Sequence, residues 1–207
     1  VSREYPDKVK ELEELGEIAR KKYGDQITGA IGNVIREPGR IGIENNERVN
    51  HLGKGKEIKI QYRFHPKYSG GGANALLDGI RGSQNYNDGA WQGFEFHSLE
   101  GVVDLGEIHE LNIIKTGFLE EQGNWIFRPA SVEYQISENG KDFHSVFKKK
   151  IKLEQSSAMK IWELPVKLKQ EKARYIKIQA ENIQYCPDWH AGKGGRAWLF
   201  SDEIIIQ

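Results

Sequence analysis

The chain has 207 residues, with 30 Lys+Arg against 30 Asp+Glu and a formal net charge of zero, so no basic surplus offers a footprint for nucleic acid or an anionic membrane. With glycine counted and tyrosine left out, its apolar share is about 45%, ordinary for a globular protein. A single cysteine, Cys186, excludes an internal disulfide and a cysteine-based zinc cluster, and no apolar run approaches the ~18 residues that mark a membrane-spanning helix.

Residues 6–23 read as a surface helix. Pro6 suits the first helical position, and Val9, Leu12, Leu15, Ile18, Ala19 and Tyr23 recur at spacings of three and four, with Gly24 as the stop. The helix therefore carries one apolar stripe that has to pack on something. The organisation expected is a helix over residues 1–26, a connector over 27–48 and a β-domain over 49–207. The connector, ITGAIGNVIREPGRIGIENNE in its main part, has no sustained period.

From residue 49 the pattern changes to short, β-branched and aromatic segments separated by turn residues. EIKIQYRF (57–64) alternates with Ile58, Ile60, Tyr62 and Phe64 on one face. GVVDLG (101–106), LNIIKTGFL (111–119), ASVEYQIS (130–137), IKLE (151–154), MKIWELPVKL (159–168), ARYIKIQA (173–180) and AWLFSDEIII (197–206) are further strand candidates. Asn139-Gly140 is the strongest hairpin signal, and the basic run Lys148-Lys149-Lys150 reads as a solvated turn. No helical pattern interrupts the strands, which predicts an all-β antiparallel jelly-roll sandwich behind the N-terminal helix.

One segment, SGGGANALLDGIRGSQNYNDGAWQG (69–93), stands apart, with seven glycines and almost no room for a helix. Glycine admits positive φ and close approach to a ligand. Gly70 to Ala75 fit the looser dinucleotide fingerprint, but that motif needs a strand before it and a helix after it. Here Pro66 follows the strand and Gly79 interrupts any helix, so phosphate cradling is set aside. Asp78-Gly79 and Asp88-Gly89 carry two open readings. They are oxygen ligands of a hard cation, which takes six to eight oxygens, or β-turns in which the Asp side chain bonds its own backbone.

NALLDGIRGSQNYNDGAWQGFEF, LEGVVDLGEIHELNIIKTGFL, PASVEYQISENGKDF, ARYIKIQAENI and the terminal SDEIII, in this order and spacing, resemble the discoidin family. These are coagulation factor 5/8 type C domains, whose bacterial members form carbohydrate-binding module family 32. The resemblance runs from about residue 50 to the end of the chain. It implies an eight-stranded antiparallel sandwich with its first and last strands side by side. It also implies a structural Ca²⁺ tying the Asp-Gly turn to the last strand. Carried over position by position, Asp78 and Glu203 would be side-chain ligands, and backbone carbonyls near Arg81 and Asp202 would add to the shell. The family's short D-G-x-x-x-T-x-W is replaced here by a longer segment ending Asp88-Gly89-Ala90-Trp91, with Asp88 the candidate for the threonine's place.

Sugar sites stack a C–H face on an aromatic ring while planar polar groups take the hydroxyls. Three loops mix such residues. The first holds Tyr86, Asn87 and Trp91; the second holds Gln122, Asn124, Trp125 and Arg128; the third holds Asp188, Trp189, His190 and Arg196. The family places its ligand site on loops at one end of the sandwich, and Tyr86, Asn87, Asn124, Trp125, Arg128, Trp189 and His190 are the candidates for it. Trp91, Trp162 and Trp198 are expected in the core. Trp125 and Trp189 stand open between ligand stacking and packing.

No catalytic constellation is present. Glu120-Glu121 and Asp202-Glu203 are strand neighbours, which point to opposite faces, and Cys186 reads as a small buried hydrophobe. The first 40 residues, YPDKVKELEELGEIARKKYGDQITG and REPGR among them, resemble the C-terminal end of a bacterial arylsulfatase. Together the two likenesses imply a non-catalytic carbohydrate-binding module behind a polysaccharide-degrading catalytic domain. The expected ligand is a glycan, sulfated ones included, and the expected setting is the periplasm, the cell surface or the medium of a bacterium. The alternative is a purely structural sandwich that packs on the catalytic domain and binds no sugar.

Overall fold

A computed structural model describes residues 5–25 and 43–207. The chain divides into two compact units, Val1–Pro38 and Gly39–Gln207.

In the first unit, α1 (Pro6–Tyr23) starts on Pro6 and ends at Gly24, whose φ is 80° and whose N–H donates to the Arg20 carbonyl at 2.8 Å. Glycine meets this positive φ without a Cβ clash, which is why the helix stops there. The apolar stripe is exposed, with Leu12 at 67% and Ile18 at 60%. The REPGR segment and residues 27–42 of the connector lie outside the described residues.

The second unit is an antiparallel β-sandwich of seven strands. They are β1 (Glu57–Ile60), β2 (Gln92–Glu95), β3 (Leu99–Glu120), β4 (Ser131–Ser137), β5 (His144–Lys150), β6 (Lys160–Glu181) and β7 (Trp198–Ile206). Their lateral order is β2-β7-β3-β6-β4-β5, with β1 also on β3. The segments 101–106 and 111–119 are two halves of one strand, β3, and 159–168 and 173–180 are two halves of β6. Register shifts between Asp104 and His109 and between Leu111 and Ile113 separate the halves of β3. Gly106 at φ 89° and, on β6, Gln170 at φ 55° lie in the same stretch. Such irregularities bend a strand so that it serves both layers of a sandwich. The first half of β3 lies between β1 and the end of β6, and its second half lies between β7 and the start of β6.

Alternation decides what enters the core. Val132, Tyr134 and Ile136 of β4 and Ile176 and Ile178 of β6 are inward and buried, joined by Phe94, Leu99, Val103, Ile114, Phe118 and Ile204. At about 25 cal/mol per Å² of apolar surface, each such side chain contributes roughly 1.5–3 kcal/mol.

Several expectations change. Among the described residues seven strands form rather than eight, and β1 pairs with β3 rather than with the last strand. The segment before β1 does meet the last strand, where the Leu52 N–H donates to the Ile206 carbonyl at 2.8 Å. IKLE (151–154) is not a strand, because pairing with β4 ends at Lys150. Lys148-Lys149-Lys150 is the end of edge strand β5 rather than a turn, and Lys148 meets Glu133 at 2.7 Å. Charged edges of this kind discourage pairing with another chain. The described end of the connector is bound to the sandwich: the Arg81 N–H donates to the Glu47 carbonyl at 3.0 Å, and Arg48 forms a β-bridge with Ile80.

Candidate functional site

Two regions bear on function, both set by the loops around β7. The first is the glycine-rich segment. It holds no long helix, only a three-residue 3₁₀ turn at Ala75–Leu77, so the phosphate reading stays excluded. Trp91 is buried, with its ring against Gly82, where a Cβ would lie 2.1 Å from it.

Each acid carried over as a cation ligand has defined partners. Asp78 accepts from the Ile80 N–H at 2.7 Å, the predicted turn geometry. Asp88 closes the second turn: Oδ1 accepts from Ala90 N–H at 2.8 Å, and Oδ2 accepts from Ser83 N–H at 2.6 Å and from Asn46 Nδ2 at 2.9 Å. The same Asn46 amide donates to the Arg81 carbonyl at 2.6 Å. Glu203 Oε2 accepts from Gly79 N–H at 3.0 Å, and Oε1 lies 2.8 Å from His51 Nε2. Burial, then the charge of Asp78, pushes Glu203 up to about 9, and burial, then Lys54, lowers His51 to about 4. Asp202, fully buried, takes the Arg81 guanidinium at 2.7 Å and Gly82 N–H at 3.0 Å on Oδ2.

Asp202 and Glu203 also depart from simple strand alternation. Thr116 faces Ile204 and Phe118 faces Ser201, so both acids stand opposite Gly117 in a β-bulge. Both acids are buried beneath the glycine-rich loop, which meets Asp202 through Arg81 and Gly82 and meets Glu203 through Gly79. Ca²⁺ needs six to eight oxygens converging on one point. Here an amide N–H₂ lies between two of the assigned oxygens, the Arg81 carbonyl and the Asp88 carboxylate, and Glu203 is engaged by His51 and Gly79. Among the described residues no group of three or more His, Cys, Asp or Glu side chains is arranged to hold a metal ion. The assigned set does not fit a calcium cage.

The second region is the end of the sandwich formed by the loop after β3 and the loop between β6 and β7. Residues Gln122–Asn124 make a 3₁₀ turn that ends at Trp125, which takes φ 65° and donates its N–H to the Gln122 carbonyl at 2.9 Å. A bulky residue in this left-handed region is costly and persists only when its surroundings hold it. Trp198 N–H donates to the Trp125 carbonyl at 2.8 Å, and the indole lies on the Gly192 and Gly195 backbone, where a Cβ would come within 2.6 and 2.4 Å. Glycine at both positions lets the two loops close on each other.

His190 fastens them. Gly192 N–H donates to His190 Nδ1 at 2.9 Å, so the proton of the neutral ring sits on Nε2, which donates to the Gln122 carbonyl at 2.8 Å. The His190 ring stands edge-on to Trp125, Phe127 and Trp189, at centroid distances of 6.4, 5.3 and 6.1 Å. Trp125 and Trp189 are each 39% exposed. Beneath them, buried Gln122 donates Nε2 to Glu120 at 2.9 Å and to the Glu154 carbonyl at 2.8 Å, and Arg128 Nε lies 3.2 Å from Glu120.

The structure thus brings Trp125, Trp189 and His190 into one cluster, to which Arg128 is joined through Glu120 and Gln122. Asn124 is exposed beside it and donates its N–H to the Glu121 carbonyl. Tyr86 packs elsewhere, edge-on to Tyr68 and Phe200, and Asn87 is exposed next to it. Trp162 and Trp198 are half-buried on the rim of the core. Cys186 is buried, and burial raises its thiol pKa.

Two asparagines that organise these regions carry no signal in the sequence. Asn46 sits in an aperiodic stretch. Asn182 follows β6 and is buried. Its Nδ2 lies within hydrogen-bond reach of the carbonyls of Phe94 (3.0 Å), His97 (3.2 Å) and Ala197 (3.2 Å), and its Oδ1 accepts from Gln184 N–H.

An antiparallel jelly-roll sandwich with aromatic side chains set on rigid loops at one end defines the class. The F5/8 type C domain profile matches residues 58–199, and the chain belongs to that family. No curated protein matches the chain. Among solved structures it is similar to the Clostridium perfringens module CpGH89CBM32-5 in complex with GalNAc-β-1,3-galactose, at 20% identity and TM-score 0.48, covering 76% of this chain and 99% of that one. It is similar to a Streptococcus pneumoniae fucose-binding module at 15% identity and TM-score 0.48, covering 79% and 96%. It is also similar to Clostridium perfringens CpGH89CBM32-4 in complex with GlcNAc-α-1,4-galactose, at 8% identity and TM-score 0.51, covering 78% and 95%. Among the described residues no helix is long and apolar enough to cross a membrane.

Proposed function

We propose that the sandwich is a non-catalytic carbohydrate-binding module that takes glycan on the cluster of Trp125, Trp189 and His190, with Arg128 joined to it. The observation that carries this reading is the closure of two loops by the His190–Gln122 bond, which leaves two tryptophans part-exposed on a fixed frame. A ring held in one orientation binds a pyranose face with little ordering cost. Family membership supports the reading, as does the fold shared with a module solved with GlcNAc-α-1,4-galactose.

The proposal extends to the parent protein, read as a polysaccharide-degrading enzyme of the sulfatase class that the module tethers to its glycan outside the bacterial cytoplasm. This part rests on the sequence likeness of the N-terminal segment. A second reading, a sandwich that only packs on a catalytic domain, is favoured by one observation: Arg128 is already paired with Glu120, which reduces its capacity for a sugar hydroxyl or sulfate. A glycan array with matched sulfated and unsulfated oligosaccharides separates the two. Selective binding that Trp125→Ala or Trp189→Ala abolishes supports the module; a blank array supports the scaffold.

A further inference from the structure

We infer that this chain fastens its glycine-rich loop to the last strand without a metal, using the Asn46 amide and the Arg81 guanidinium where the family resemblance implies a cation. The inference concerns stability and does not depend on glycan binding.

A cation between loop and strand would do two jobs: gather oxygens from separate segments, and neutralise buried carboxylate charge. Both are already done here by side chains. Asn46 Nδ2 lies 2.6 Å from the Arg81 carbonyl and 2.9 Å from Asp88 Oδ2. A donor nitrogen thus occupies the space between two oxygens that would otherwise share an ion. An amide N–H₂ offers two donors, and each here has its acceptor.

The buried charge of Asp202 is handled by Arg81. Its Nε donates to Asp202 Oδ2 at 2.7 Å and its Nη1 to Glu163 at 2.6 Å, and Lys115 lies 3.1 Å from the same Glu163. One guanidinium therefore links the loop to β7 and to β6. Arg suits this task better than Lys, since its planar fork serves two carboxylates at once and it stays charged when buried. Asp88, with three N–H groups on its two oxygens, has its lone pairs directed at the protein's own donors. A Ca²⁺ ion would have to break the Asn46 bonds and turn these oxygens away from their amides.

Thermal unfolding of the full chain in excess calcium chloride and in excess EDTA tests the inference, with isothermal titration of calcium chloride as a second readout. The expected result is the same midpoint in both solutions and no calcium heat. A rise of several degrees with calcium, or stoichiometric calcium heat, would overturn it.

Asn46→Asp provides the converse test, because it replaces the bridging donor by a third oxygen facing Asp88 and the Arg81 carbonyl. This variant is expected to melt several degrees lower in EDTA and to regain the loss in calcium. If it is indifferent to calcium, the amide does not stand at a cation position and the inference fails. Asn46→Ala, which removes the donor without adding an oxygen, is expected to melt lower by the same amount in both solutions. Recovery of Asn46→Ala in calcium would mean that an ion enters once the amide is gone from a native cage, and would also overturn it.

Discussion

Gly117 and Asp202 stand so close across the β3–β7 ladder that a Cβ on the glycine would lie 2.1 Å from the Asp202 carboxylate and 2.8 Å from the Arg81 guanidinium. The bulge at Asp202-Glu203 and the absent side chain at Gly117 are one device. The first sets both acids opposite Gly117, and the second makes room for Asp202 and its partner. Gly117→Ala should therefore destabilise by about 3 kcal/mol or more, since it combines overpacking with damage to a buried ion pair. Urea unfolding measures this as a lower midpoint; an unchanged midpoint would mean that the bulge relaxes freely.

Arg81→Met leaves Asp202 buried without its counter-charge, and breaking a buried pair from one side costs about 3–5 kcal/mol. Arg81→Met combined with Asp202→Leu should recover much of that loss, because neither charge is then stranded. A double-mutant cycle with a coupling energy near zero would show that the pair does not act as a unit.

Much of the fold was legible in the sequence because β4, the first half of β3 and β6 largely alternate, while β7 reads as an aromatic and β-branched run that is buried along nearly its whole length. The fusion of the halves of β3 and of β6 into 22-residue strands was not legible, since the bends at Gly106 and Gln170 interrupt alternation and look like turns. The candidate cluster was legible in its rings, Trp125 and Trp189, which stand among glycines and polar residues. The grouping was partly legible: Tyr86 was expected with them but packs on Tyr68 and Phe200 instead. The partners of Asp88 and Arg81 were not legible at all. They depend on Asn46, whose contact with Arg81 spans 35 positions and follows no local pattern.

Asn182 joins the β2–β3 connection to the β6–β7 loop through three carbonyls and one N–H. Asn182→Ala would remove a buried amide that bonds these carbonyls, and losing a buried hydrogen-bond partner costs about 1–3 kcal/mol. The expected result is a loss of at least ~2 kcal/mol, with amide exchange in residues 94–98 and 183–197 accelerating more than in β4. Uniform acceleration across the sandwich would argue against a local clamp.

Arg174 grips Asp104 with two bonds, at 2.7 and 2.9 Å, and these hold the Asp104 carboxyl down to about 2. A carboxyl depressed in the folded state binds its proton more readily when unfolded, so its stabilising effect is present above the unfolded pKa near ~3.9 and disappears as pH falls through the folded value. Both side chains are more than a third exposed, so the effect is small and salt-sensitive. The stability gap between the native chain and Asp104→Asn should therefore be widest above about pH 5 and close toward pH 2. A gap that widens on acidification would contradict the assignment.

The most direct measurement of the central claim follows the indole N–H signals of the five tryptophans by NMR while oligosaccharides ending in galactose, GlcNAc or a sulfated sugar are titrated in. If the loop end binds glycan, the Trp125 and Trp189 signals move together with one saturation curve, while buried Trp91, whose Nε1 donates to the Ser83 carbonyl at 3.0 Å, stays still. Titrations that leave Trp125 and Trp189 unmoved, or that shift other tryptophans instead, would contradict the account.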